Sequence, residues 1–95
     1  MPVETRPYDS ARYLDSDEAI AAFMDEAFLT GDAAFITRAL GVAARARGMT
    51  QIAKDAGMSR ESLYRALGDK GNPEFSTVLR VAQALGLRLT MASAQ

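Results

Sequence analysis

Apolar residues recur along this chain with a helical period, and glycines punctuate the recurrence. Ile20, Phe23, Met24, Ala27 and Phe28 fall at i, i+3, i+4, i+7 and i+8, which predicts a helix with a single apolar stripe. Asp15 opens it, with Glu18 three residues on as a capping-box partner, and Gly31 closes it. Asp32 caps a second helix that runs to Arg47 and stops at Gly48, with Phe35, Ile36, Leu40, Ala43 and Ala44 as its buried side. Gly41 inside that helix costs roughly 1 kcal/mol relative to alanine, so the close approach of another helix is the expected reason for it. Arg45 and Arg47 occupy the last turn, where the helix dipole favours cations and where a phosphate is also within reach.

The stretch from Thr50 to Leu67 has the grammar of a helix-turn-helix. Thr50 is placed to cap a short helix with Ile52, Ala53 and Ala56 on its apolar face, and Gly57 supplies the positive-φ residue that ends it. Ser59 caps a second short helix whose inner side is Leu63, Ala66 and Leu67. Small residues at positions 53 and 56 suit two helices that cross steeply and touch near the turn. The bland alternative is a pair of packed helices that touches no nucleic acid.

Gly68 to Phe75 is rich in turn residues. Ser76 is the expected cap of a last helix with Val78, Leu79, Val81, Ala82 and Leu85 inward, ending at Gly86. Leu87, Leu89 and Met91 then alternate with Arg88 and Thr90, the period of a β-strand. A lone strand leaves backbone groups unpaired, so this one needs a partner: the N-terminal segment, a second copy, or another protein. Pro2 and Pro7 discourage helix at the start of the chain, so residues 1–14 read as an extended segment. The expected architecture is an all-α, five-helix, repressor-like helix-turn-helix domain over residues 15–95, with the motif at 50–68 and a short C-terminal strand.

Composition narrows the chemistry. Ninety-five residues suffice for one domain. The absence of cysteine and histidine removes disulfides, thiol nucleophiles, imidazole bases and zinc-finger ligand sets. No phosphate-binding glycine loop or paired catalytic carboxylate stands out, so neither catalytic residues nor a metal nor a cofactor is expected. Without an apolar run of about 20 residues or a signal-like start, a soluble cytoplasmic protein away from membranes is the expectation. The net charge of −1 conceals an asymmetry. Residues 1–35 hold eight carboxylates and two arginines, a net −6, whereas residues 36–95 hold nine cations and four carboxylates, a net +5. The basic half suits a polyanion, and the acidic half suits either a basic protein or solubility alone.

Specific residues on the second short helix fit DNA. Arg60 can donate twice to guanine O6 and N7, and Glu61 can accept from cytosine N4, though both also suit an ordinary helix start. Tyr64 either stacks on the sugar–phosphate edge or fills a core gap. Lys54, Lys70 and Asn72 flank the motif and suit phosphates, which position without specifying. The candidate DNA-contacting set is Thr50, Gln51, Lys54, Ser59, Arg60, Glu61, Ser62, Tyr64, Arg65, Lys70 and Asn72.

Longer signatures carry a family resemblance. They are Ala43–Ala53 with its Arg47-Gly48-Met49-Thr50-Gln51 centre, Leu63–Leu67, Gly71-Asn72-Pro73 with Phe75 and Thr77, and Ala84–Leu89. Upstream, Tyr13-Leu14, Ala19-Ile20 and Gly31-Asp32 continue the match. From Tyr8 to Thr90 the chain resembles the addiction-module antidote proteins, HigA-like antitoxins with a Cro/repressor-type helix-turn-helix. The resemblance implies an antitoxin that binds a RelE/HigB-like toxin and represses its own operon by binding double-stranded operator DNA. Dimers on paired half-sites are common for such domains, so a homodimer is expected. Repressors of this type often carry glutamines where this chain has Arg60 and Glu61, so an operator sequence cannot be borrowed from them. A stand-alone transcriptional regulator and a protein-binding adaptor without a DNA site are the competing readings.

Overall fold

Helix boundaries in this chain are set by local capping. The computed structural model describes residues 14–94. Among them are five helices: α1 Asp17–Leu29, α2 Ala33–Arg47, α3 Met49–Asp55, α4 Arg60–Ala66 and α5 Phe75–Ala84. The extended reading of residues 1–14 lies outside the described residues except at Leu14, which is buried in the core.

Two caps match the sequence and three do not. Asp32 Oδ1 accepts from the Ala34 and Phe35 amides at 3.0 and 3.2 Å, and Ser59 Oγ accepts from the Ser62 amide at 3.0 Å. At α1 the cap is Ser16, whose Oγ accepts from the Ala19 amide at 3.0 Å, in place of the expected Asp15–Glu18 box. Starting one residue later keeps Asp17 and Glu18 in the first turn, where the helix dipole favours them. Thr50 does not cap α3: Gly48 ends α2 and begins α3 at once, and Met49 is buried as the first helical residue. Ser76 likewise sits inside α5, which starts from Glu74 without a side-chain capping bond.

α3 and α5 end by the same device. In α3 the Met58 amide reaches back to the Ala53 carbonyl at 2.9 Å and the Gly57 amide to Lys54 at 3.1 Å, with Gly57 at φ 72°. In α5 the Leu87 amide bonds the Ala82 carbonyl at 2.9 Å and the Gly86 amide bonds Gln83 at 3.0 Å, with Gly86 at φ 82°. Both are Schellman closures, which need a left-handed residue and hold the following apolar residue against the helix. The second explains why the expected strand fails at its first position. Leu87 is committed to the helix cap, and the tail from Leu87 to Ala94 carries no strand.

The core draws its largest fully buried side chains from four helices: Ile20 of α1, Leu40 of α2, Leu63 of α4 and Val81 of α5. Each contributes about 1.5–3 kcal/mol by leaving water, enough together to decide how the short helices sit. α2 packs on α1, α3 and α5, and α3 packs on α4 and α5. The apolar stripes are narrower than the sequence suggests. Phe28 and Phe35, both expected inside, are exposed at 41% and 43%, while Thr37 and Ala39 are buried in their place. Thr37 tolerates burial because its hydroxyl donates to the Ala33 carbonyl at 2.9 Å. Phe35 instead carries the Arg38 guanidinium 5.9 Å from its ring centroid.

Two glycines permit close backbone approaches. A Cβ on Gly41 would stand 3.2 Å from the Leu67 carbonyl oxygen, where α2 meets the end of α4. A Cβ on Gly71 would stand 2.0 Å from the Ala66 carbonyl oxygen, a backbone atom that cannot rotate away. Gly71→Ala is therefore expected to cost at least 1–3 kcal/mol, the scale of an overpacked core, and to lower the melting temperature by roughly 5–20 °C. Gly41→Ala recovers about 1 kcal/mol of helix propensity against its milder crowding, so its melting temperature should move by only a few degrees. Thermal unfolding followed by circular dichroism checks both. Equal losses would refute the ranking.

Candidate nucleic-acid interface

α3 and α4 present one exposed surface, and the way they are capped decides which side chains reach it. The turn from Ala56 to Ser59 separates them, with Ala56 buried and Met58 packed against the core. On α4, Leu63 faces fully inward, Leu67 just past its end is buried, and Ala66 is half-buried. That leaves Arg60, Glu61, Tyr64 and Arg65 outward.

Ser59 and Ser62 are occupied with each other. Besides the cap bond, the Ser59 hydroxyl lies 2.9 Å from that of Ser62, so both serve the start of α4. Arg60 and Tyr64, one turn apart, form the leading edge. The guanidinium lies 5.4 Å from the Tyr64 ring centroid, and its Nη2 stands 3.4 Å from the phenol oxygen. Of the two readings for Tyr64, the core one fails: the ring is 42% exposed and fills no core gap. An exposed cation–π pair is worth about 0.5–1 kcal/mol, enough to bias the Arg60 side chain without locking it. A contact of that size leaves the guanidinium able to exchange it for a stronger pair of hydrogen bonds.

The flanking candidates are spread over three elements. Thr50, Gln51 and Lys54 are exposed along α3, and Gln51 Nε2 donates to Asp55 Oδ1 at 2.9 Å. Lys70 and Asn72 are exposed on the loop after α4. Arg45 is exposed at the end of α2. Arg47 is engaged elsewhere: its guanidinium pairs with the Asp17 carboxylate of α1. Sequence reasoning missed this pair because its partners lie 30 residues apart and no local pattern links them.

No helix among the described residues is long and apolar enough to cross a membrane. No group of three or more His, Cys, Asp or Glu among the described residues is placed to hold a metal ion. The arrangement can donate hydrogen bonds and positive charge to a polyanion, and it offers a short hydrogen-bonding edge of roughly one helical turn.

The chain is 46% identical over 88 residues to a protein of Haemophilus influenzae (strain ATCC 51907 / DSM 11121 / KW20 / Rd) described only as an uncharacterized protein. The match covers 93% of this chain and 91% of that one. No solved structure matches the chain. A family model described as "Probable addiction module antidote protein" matches residues 4–93, nearly the whole length, and the chain belongs to that family.

Proposed function

We propose that this protein is the antitoxin of a type II toxin–antitoxin module, acting in the cytoplasm. It neutralises a RelE/HigB-like toxin and represses its own operon as a homodimer on a palindromic operator. Membership of the antidote family supports the antitoxin half of this reading, since an antidote implies a toxin. The exposed Arg60–Tyr64 edge on α4 supports the DNA half. On this reading α3 and α4 are a helix-turn-helix of Cro/repressor type, and α4 is the recognition helix laid in the major groove.

The roles divide by chemistry. Arg60 reads a guanine and Glu61 a cytosine, with Tyr64 steadying Arg60 from the next turn. Thr50, Gln51, Lys54, Arg65, Lys70 and Asn72 meet phosphates or base edges around them, and the Ser59–Ser62 pair fixes the first turn of α4. The acidic α1, with Glu18 and Glu26 exposed, meets the basic toxin. A stand-alone regulator would lack that last contact, and co-expression with the product of the neighbouring gene separates the two readings.

Arg60→Ala should cost about 1–3 kcal/mol of operator binding and relax preference at one base position. Lys54→Ala or Lys70→Ala should weaken binding to every sequence and reduce its salt dependence. Gel shifts on the protein's own promoter across a salt series measure both. Arg60→Ala that binds as tightly and as selectively as wild type would remove Arg60 from base reading.

For the toxin, the paired change Glu18→Lys with Glu26→Lys should weaken rescue of growth and co-purification while leaving the gel shift unchanged. Neutralisation that survives this reversal would take the toxin contact off α1.

A further inference from the structure

The two arginines in the last turn of α2 are used differently. Arg47 pairs with Asp17 of α1. Arg45 is exposed and makes no side-chain hydrogen bond or ion pair among the described residues. Its guanidinium folds back over Gly41. A Cβ on Gly41 would stand 3.5 Å from Arg45 Nη1 and 3.2 Å from the Leu67 carbonyl oxygen, so the two flank one point. Leu67 closes α4, which places the Arg45 guanidinium beside the C-terminal end of that helix, opposite the end that carries Arg60. The loop leaving this end is held close to it. The Gly71 amide donates to the Gly68 carbonyl at 2.9 Å, and Gly71 lies so near the Ala66 carbonyl that a side chain has no room. Lys70 is exposed within that loop, and Arg65 is exposed in the last turn of α4. From Gly68 to Pro73 the loop contributes one carboxylate, Asp69.

We propose that Arg45 is a DNA-backbone contact, donating to a phosphate at the C-terminal end of α4 while Arg60 reads a base at the other end. The proposal rests on the DNA half of the proposed function and adds to it a residue of α2, outside the helix-turn-helix. α4 is seven residues long, about 10 Å at the rise of an α-helix, against a major groove about 12 Å wide. A helix of that length laid in the groove brings the groups beside its far end to the phosphate ridge that borders it. The dipole of α2 also favours a cation here, but it favours Arg45 and Arg47 alike. A phosphate asks in addition for unoccupied donors in a planar fork, and of the two only Arg45 offers them. Its seat over Gly41 narrows the freedom of the side chain before DNA arrives, which lowers the cost of ordering it.

Binding of the full chain to its own promoter and to an unrelated duplex, measured by fluorescence anisotropy across a salt series, tests this. Arg45→Gln should weaken both complexes by the same factor, at least about threefold at low salt, and reduce the salt slope by about one per bound copy. Arg45→Lys, which keeps the charge, should retain the slope. A purely dipolar role would lower the melting temperature of Arg45→Gln and leave affinity and slope untouched, which would overturn the proposal. A loss confined to the promoter would make Arg45 a base reader and overturn the backbone assignment. Unchanged binding by Arg45→Gln beside a weakened Lys70→Ala would remove Arg45 alone and leave the DNA reading standing. A wild type that binds neither duplex would remove that reading and this proposal with it.

Discussion

α3 and α4 are seven residues long each, and helices of that length do not persist in water on their own. Their existence and direction are borrowed from α2 and α5. α2 supplies a face of Ala39, Leu40, Gly41, Ala43 and Ala44, all buried and mostly small. Small side chains let the neighbouring backbones come close, and Gly41 marks the limit of that approach at the Leu67 carbonyl. Ile52 and Ala53 of α3 and Leu63 of α4 complete the same core cluster from the other side. The exposed edge of α4 is therefore only as rigid as this packing makes it.

This packing produces a division of labour within single helical turns. Leu63 fixes α4 rotationally because it is fully buried, and its neighbours on the helix then have no choice of face. Tyr64, one position on, must point outward, and Arg60, four positions earlier, must lie beside it. The cation–π contact is thus a consequence of burying Leu63, not a separate device. The Ser59–Ser62 pair acts similarly at the start of the helix, where it satisfies an otherwise orphan amide and leaves Arg60 clear of the cap.

Much of this was legible in the sequence wherever one residue type answers a local need. Gly57 before Ser59 announces a left-handed closure followed by a cap, and both are present. Asp32 after Gly31 announces the start of α2. Caps that failed did so where a nearby residue could serve: Ser16 took the role expected of Asp15, Gly48 that of Thr50, and Glu74 that of Ser76. The inward stripes failed at Phe28 and Phe35 because periodicity gives the face of a helix but not how far along it a neighbour extends. The tail failed for a different reason. Alternation predicts a strand only if an edge is available, and among the described residues none pairs with Leu87–Met91. Arg47 with Asp17 illustrates the last limit, since a tertiary ion pair has no signature in spacing.

That ion pair also changes how the charge of the molecule is to be read. By sequence, nine cations in the latter part of the chain look like one basic surface. In space, Arg47 is spent against the acidic α1, Arg38 lies over Phe35, Arg80 is exposed on α5, and Arg88 lines, as Asp25 also does, a recess formed by α1, α5 and the C-terminal tail. The cations left around α3 and α4 are Arg45, Lys54, Arg60, Arg65 and Lys70, with Arg60 set apart by its ring contact. Exposed ion pairs of this kind contribute at most about 1 kcal/mol to stability, so Asp17 and Arg47 matter less for holding α1 to α2 than for removing a cation from the field. A polyanion approaching this protein is met by a small, local group of donors on a molecule of nearly zero net charge. Attraction of that origin falls away within a Debye length, about 8 Å at physiological salt. On the proposed reading, recognition then comes from short-range contacts at the α4 edge, repeated in a second copy, more than from long-range steering.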